Sequence, residues 1–224
     1  MANEYLKRTP TSSGNRSVFT WSGWLKQPEH DGSSNYTLFS SYSSGYPDRS
    51  YFIIGSDGKL NIITYEGGYE LRFYSENVFR DNSSWTNILF HINTTKGNGA
   101  ERVSIFSNGA KLKIDETNYN EPSINYQTYV NLSSATHGIG YDIGLQGRPY
   151  SGQMSDVFLV DGQALTPDVF GFYKDGDGYM SSGTSQATDF RPGQWSPHSP
   201  RKIKTEIERK GGFGVNGFYL PMND

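Results

Sequence analysis

The acidic residues are the first place to look for chemistry, because carboxylates serve as general acids, nucleophiles and cation ligands. Asp175-Gly176-Asp177-Gly178 sets two carboxylates in one loop. A calcium loop of the EF-hand type needs further oxygen ligands and a distal Glu, which this segment lacks. We therefore predict a tight turn and no cofactor, and keep Asp175 and Asp177 as the alternative calcium ligands.

Catalytic pairs and triads have little support in the sequence. A retaining glycosidase needs two carboxylates about 5–5.5 Å apart, and no predicted strand carries acids spaced to share one face. Asp115-Glu116 and Glu121 fall in a connector that contains Asn and Pro, which indicates a solvated loop. The four histidines are near no serine elbow motif, and the absence of cysteine excludes thiol nucleophiles, thiolate metal sites and disulfides. We predict that the protein is not an enzyme.

Tyrosine is the residue type with the most chemistry to offer, since the chain has 16 Tyr, 13 Phe and 4 Trp. Several tyrosines lie in predicted loops or at predicted strand ends. A tyrosine ring combines contact area with a polar tip, which suits sugar stacking and protein interfaces equally. The candidate carbohydrate-binding residues are Tyr42, Tyr46, Tyr69, Tyr150 and Tyr173.

A short basic segment is the candidate contact surface. Residues 201–210 hold five cations and two anions, a net charge of +3, with pairs at i,i+4 spacing that favour a helix over residues 203–210. Phosphate binding needs more cations spread over a surface, and a pI of about 5.8 is far from that of a typical nucleic-acid-binding domain. We predict a solvated helix or a subunit contact and no nucleic acid. The candidate contact residues are Arg201, Lys202, Lys204, Ile207 and Arg209.

The elements that must position these residues are mostly strands. Aromatic runs broken by Gly, Asn, Asp and Ser are typical of short strands joined by turns. Residues 18–26 alternate between two faces, and Asp57-Gly58 and Asn108-Gly109 each sit between apolar runs as hairpin turns do. Besides residues 203–210, only 166–171 favour about one helical turn. The composition predicts an all-β protein with one or two short helices.

Length and hydropathy narrow the organisation further. A chain of 224 residues fits one large sandwich, and we expect a single β-sandwich domain over residues 1–224. Residues 176–200 are rich in Ser, Gly and Pro, so we expect an inserted loop or arm at about 176–212. The mean hydropathy is −0.66 and no apolar run approaches the roughly 20 residues of a membrane helix. Residues 1–10 lack the apolar stretch of a signal peptide.

Several blocks of sequence agree with a known family in order and spacing. Tyr5-Leu6-Lys7-Arg8-Thr9-Pro10 leads to a tryptophan-containing strand at residues 19–26, and Phe79-Arg80-Asp81 precedes Trp85. Later blocks follow at residues 106–109, 137–140, 150–157, 161–165, 170–171 and 214–220. Together they resemble the laminin-G/concanavalin A-like sandwich domains of bacteriophage structural proteins. Residues 181–210 have no counterpart in that family.

The resemblance implies an antiparallel jelly-roll sandwich and a place in a virion. It implies a non-enzymatic structural protein, made in the host cytoplasm without a signal peptide and attached to a capsid as decoration or cement, or to a tail as an appendage. The expected partners are other virion proteins and further copies of the chain, with a trimer favoured, and no membrane insertion. The resemblance also makes a calcium site at the rim of the sandwich an alternative to the absence of a cofactor.

Two other functions stay open at this point. One is a host-glycan-binding adhesin module of a tail fibre, acting through the loop tyrosines. The other is a polysaccharide depolymerase, because glucanases share the sandwich. A sandwich architecture does not by itself decide among these functions.

Overall fold

The chain folds into two six-stranded antiparallel sheets that pack face to face. The computed structural model describes residues 4–43, 48–174, 180–181 and 194–222. In sheet order, the first sheet consists of β1 (Leu6–Arg8), β10 (Thr136–Ile139), β3 (Tyr36–Tyr42), β4 (Arg49–Ile54), β5 (Lys59–Tyr65) and β6 (Tyr69–Val78). The second sheet consists of β15 (Phe218–Leu220), β11 (Gln153–Asp161), β2 (Val18–Lys26), β7 (Thr86–Asn93), β8 (Val103–Ser107) and β9 (Ala110–Lys111). The all-β jelly-roll prediction is confirmed.

The core lies between the two sheets and is built from alternating residues. Phe19, Trp21 and Leu25 of β2 are fully buried in it, as the two-residue period predicts. The Trp21 ring centroid is 5.8 Å from that of Phe90 on β7 and 6.3 Å from that of Phe52 on the opposing sheet. Each fully buried side chain of this kind contributes about 1.5–3 kcal/mol relative to exposure. Aromatic and aliphatic side chains therefore share the packing of the sandwich.

Both predicted hairpin turns are confirmed. Gly58, with φ +80°, connects β4 to β5, and its N–H donates to the Gly55 carbonyl at 2.8 Å. Asn108 and Gly109 connect β8 to β9 with φ values of +45° and +78°. Two successive positive φ values are what a type I′ turn requires, which explains the Asn-Gly pair.

An outer layer covers part of the second sheet's outward face. It consists of a small three-stranded sheet and a 3₁₀ turn, followed by helix α1. In sheet order the small sheet is β13 (Met180–Ser181), β12 (Gly171–Lys174) and β14 (Gln194–Pro197). The described chain has one α-helix, α1 (Pro200–Arg209). It also has three 3₁₀ turns, at Gly99–Glu101, Glu116–Asn118 and Pro167–Val169. None of these helices has the length and apolar content to cross a membrane. The predicted turn at residues 166–171 is confirmed.

Helix α1 is packed on the sandwich, which corrects one contact prediction. Ile203 and Ile207 form the predicted apolar stripe, but both are buried in a second core with Phe158 and Phe170. Ile207, predicted as a contact residue, is completely buried and is not available to a partner of the folded chain. The helix also begins earlier than predicted, at Pro200, since the Ser199 hydroxyl caps it by accepting from the Lys202 N–H.

Candidate functional site

A cleft of about 1040 Å³ opens between the outward face of the second sheet and the small three-stranded sheet. Four aromatic side chains line it: Trp24, Trp85, Tyr173 and Trp195. The polar side chains beside them include Asn108, Ser155, Asp156 and Gln194. Its volume lies just above the roughly 300–1,000 Å³ range of small-molecule sites. The cleft has room for a ligand larger than a single sugar ring.

Trp195 forms one wall of the cleft and is held by unusually close backbone contacts. A β-carbon built on Gly109 would lie 2.3 Å from a Trp195 ring carbon, and one built on Gly171 would lie 2.5 Å from another. The indole is therefore wedged between two glycines. Its Nε1 is buried and has no hydrogen-bond acceptor among the described residues.

Tyr173 continues this wall from the neighbouring strand of the small sheet. Its ring meets Trp195 edge-on, with centroids 5.0 Å apart and planes at 69°. The Tyr173 hydroxyl donates to the Asn108 carbonyl at 2.8 Å, which ties β12 to the β8–β9 turn. Burial raises the pKa of the Tyr173 hydroxyl. Tyr173 thus stays a neutral phenol that joins the outer layer to the sandwich.

Trp24 and Trp85 form the opposite side. Trp24 follows the alternation of β2, so it points away from the core that contains Trp21 and Leu25. Trp85 directly precedes β7 and is 42% exposed. The preceding turn is held by Asp81, whose carboxylate accepts from the Ser83 N–H at 2.8 Å and from its hydroxyl at 2.6 Å. These hydrogen bonds lower the pKa of Asp81 to about 2.

A bulge in β11 supplies the charged group of the cleft. The pairing of β11 with β2 shifts between Ser155 and Phe158, and Asp156 there has a φ of +49°. The Tyr219 hydroxyl donates to Asp156 Oδ1 at 2.6 Å. Burial and this hydrogen bond raise the pKa of Tyr219 to about 12. Among the described residues that line the cleft, Asp156 is the only carboxylic acid.

The predicted tyrosines do not converge on one site. Tyr173 lies in the cleft, whereas Tyr42 ends β3 and Tyr69 begins β6, both on the first sheet. Tyr69 is 44% exposed, with the Arg72 guanidinium 4.4 Å from its ring centroid. Tyr46, Asp175 and Asp177 lie outside the described residues.

Tyr150 corrects the expectation that it offers an exposed ring. It is 8% exposed and packs against the main core, and its hydroxyl donates to the Lys26 carbonyl at 3.1 Å. Burial raises its pKa. The predicted loop folds inward because the ring fills space at the edge of the core while its hydroxyl finds a backbone acceptor.

The candidate contact residues other than Ile207 are exposed. Arg201, Lys202, Lys204 and Arg209 all lie on the outward side of α1. Arg209 forms an ion pair with Glu206 at 2.7 Å, and Lys204 Nζ lies 5.2 Å from the Tyr219 ring centroid. Within the described part of the chain, no three His, Asp or Glu side chains are grouped in a way that would hold a metal ion.

Sequence reasoning missed the three tryptophans of the cleft. Trp24 carried a usable signal, because it alternates out of phase with the core residue Trp21 in the same strand. Trp195 lies in a stretch predicted as a loop, and Trp85 lies outside any strand. Their convergence depends on how the outer layer packs on the second sheet.

Comparison with solved structures identifies the fold. No protein-family model matches the chain, and no curated protein matches it. Among solved structures, the native heptameric SAP-like pentraxin of Limulus polyphemus aligns with a TM-score of 0.50 and 18% identity, over 72% of this chain and 71% of the pentraxin. The fold is a concanavalin A-like jelly-roll sandwich.

Other concanavalin A-like sandwiches align with lower scores. The Ruminococcus gnavus IT-sialidase CBM40 has 12% identity and a TM-score of 0.46, over 73% of this chain and 95% of that one. Tailspike protein 2 from Escherichia coli O157:H7 bacteriophage CAB120 has 12% identity and a TM-score of 0.45, over 71% of this chain and 21% of the tailspike.

Proposed function

We propose that this protein is a non-enzymatic structural protein of a phage virion that binds carbohydrate in the aromatic cleft. The cleft carries the proposal. Trp24, Trp85, Tyr173 and Trp195 offer flat apolar surfaces for the faces of sugar rings, and Asn108, Asp156 and Gln194 offer hydrogen-bonding groups for their hydroxyls. Rigid aromatic walls with a few convergent polar groups are the usual make-up of a small-molecule site.

The number of acidic residues in the cleft favours a binding role over hydrolysis. A retaining glycosidase places two carboxylates about 5–5.5 Å apart. Asp156 has no acidic partner among the described lining residues. Release of reducing sugar from host polysaccharide by the purified protein would support a depolymerase and contradict this proposal.

Binding is tested on a glycan array with purified protein. Wild type should retain a set of oligosaccharides, and Trp85→Ala should lose them, because Trp85 is the most exposed aromatic group of the cleft. Tyr69→Ala is the matched control, since Tyr69 is equally exposed but lies on the other sheet. The cleft proposal is wrong if Tyr69→Ala abolishes binding and Trp85→Ala does not.

The virion role is supported by the ordered sequence blocks that resemble phage structural proteins. We infer that the chain assembles as a trimer on the particle and meets other virion proteins through the exposed cations of α1. Lys202→Glu/Lys204→Glu should then lower the number of copies per purified particle. Lys96→Glu/Lys113→Glu makes the same charge change at two exposed lysines elsewhere. Equal incorporation of both variants would exclude this contact.

A tail-fibre adhesin is the second candidate, favoured by a cleft that is open to large ligands. Cryo-electron microscopy of purified virions distinguishes an adhesin at the tail from a protein that decorates the capsid. Ordered copies over the icosahedral shell would support decoration of the capsid, and a few copies at the tail would support host adhesion.

A further inference from the structure

The cleft carries a charge pattern that selects among sugars. Its described lining contains no Lys, Arg or His, and its single charged side chain is the Asp156 carboxylate. Lys204 approaches from α1, but its ammonium lies over the Tyr219 ring and does not line the cleft. Against this described lining, a carboxylate or sulfate on a ligand would lose water without gaining a counter-charge, and it would face the like charge of Asp156.

A bulge in β11 places two consecutive side chains in the cleft. Consecutive residues of a regular strand point to opposite faces, yet Ser155 and Asp156 both line the cleft. Asp156 and Val157 of β11 oppose the single residue Gly23 of β2, and this one extra residue changes the direction of the side chains, as bulges beside binding sites do. The cost is a φ of +49° at a residue that is not glycine. Such backbone strain persists where the surrounding structure enforces it, and it clusters at functional positions.

The carboxylate retains hydrogen-bonding capacity. Oδ1 accepts from the Tyr219 hydroxyl at 2.6 Å, and the Ser155 hydroxyl lies 3.4 Å from Oδ2. An ionised carboxylate has about four acceptor sites and no donor. It is suited to accept from the hydroxyls of a sugar, which are donors, and unsuited to a ligand that presents only anionic acceptors.

We infer that the cleft binds neutral glycans, with Asp156 as the residue that orients their hydroxyls and rejects sialic acid, uronic acid and sulfated sugars. This inference rests on the proposed carbohydrate binding. It names the ligand class and one specificity-determining residue of that cleft.

The test is an array of neutral oligosaccharides printed beside their sialylated, uronate-containing and sulfated counterparts. Wild type should bind the neutral member of each matched pair at least tenfold more tightly. Equal or tighter binding of the acidic members would overturn the inference while leaving carbohydrate binding in place. Binding to no member of the array would instead contradict the proposed function.

Two variants locate the selectivity. Asp156→Asn should weaken binding of neutral glycans about tenfold and reduce the preference for neutral over acidic members. Asp156→Gly removes the carboxylate but suits the positive φ, so it should fold at least as well and also lose selectivity. Asp31→Asn removes one negative charge from an exposed loop outside the cleft and should leave both affinity and selectivity unchanged. Unchanged selectivity in both Asp156 variants would remove Asp156 from the mechanism.

Discussion

Gly109 and Trp195 are in direct contact, so that even a methyl group at Gly109 would overlap the indole ring. Gly109 therefore has two roles, since it forms the turn between β8 and β9 and also packs against Trp195 in the cleft wall. A single position links the hairpin of the second sheet to the placement of Trp195.

Gly109→Ala should destabilise the protein for two separable reasons. Its φ of +78° disfavours any side chain, and the new methyl group would meet Trp195. Gly67→Ala isolates the first cause, because Gly67 has a φ of +68° and no atom within 4 Å of the built β-carbon. We expect about 1 kcal/mol from the conformational cost alone and a further ~1–3 kcal/mol from overpacking at Gly109. Urea denaturation measures both, and equal losses would exclude the contact with Trp195 as a cause.

Trp85→Ala should separate binding from stability. The side chain is 42% exposed, so its loss should lower the free energy of unfolding by less than about 1 kcal/mol. The affinity for a bound glycan should fall about tenfold, which corresponds to ~1.4 kcal/mol. Trp21→Ala should do the opposite and cost about 3–5 kcal/mol of stability, because Trp21 is completely buried. Isothermal titration and thermal melts of both variants give the two quantities, and a large stability loss in Trp85→Ala would contradict its surface position.

His137 should make the protein sensitive to acid above the range in which carboxylates titrate. Burial and the nearby Arg8 lower its pKa from 6.5 to about 3, and its Nε2 accepts from the Asn131 N–H at 3.0 Å. The folded state thus holds a neutral imidazole, whereas the unfolded chain takes up a proton near pH 6.5. His137 therefore costs no stability above pH 6.5. Below that pH, the free energy of unfolding falls by about 1.36 kcal/mol per pH unit as the pH drops toward 3.

His137→Gln tests this origin of the acid sensitivity. Wild type should lose about 2.5 kcal/mol from His137 between pH 7 and pH 4.5, and the variant should show a shallower decline over the same window. Denaturant titrations at several pH values measure both slopes. Burial also lowers the pKa values of His91 and His198, so some decline should persist in the variant. Parallel curves for wild type and variant would exclude His137 as the cause.

Ile207→Ala should destabilise the outer layer. The side chain is completely buried with Ile203, Phe158 and Phe170, and loss of such a group costs about 2–5 kcal/mol. Arg209→Ala should change stability little, because Arg209 is exposed on the same helix. Thermal melts of both variants decide the point. If the two variants melted alike, the helix would not be docked through its apolar stripe.

The sandwich was predictable because its signals are local. Alternation in β2 and the Asn108-Gly109 turn depend on residues within a few positions of each other, and both are confirmed. The prediction for α1 was right in type, but it missed the start at Pro200, where the Ser199 cap lies outside the apolar stripe.

The cleft was not predictable to the same degree, since it depends on long-range pairing. Trp195 contributes through the pairing of β14 with β12, and the two strands are joined by 19 residues, from 175 to 193, of loop-like composition. Asp156 contributes through a bulge whose position no local pattern marks. Tyr150 was misassigned because nothing in the residues beside it indicates that its ring would be enclosed.

The two walls of the cleft differ in how freely their residues can be substituted. One wall of the cleft belongs to strands whose opposite faces form the main core, and substitutions there are constrained from both sides. The other wall, with Tyr173 and Trp195, belongs to a small sheet that is separate from the two six-stranded sheets. Under the proposed carbohydrate binding, changes in that sheet would alter ligand preference while leaving the core between the two six-stranded sheets intact.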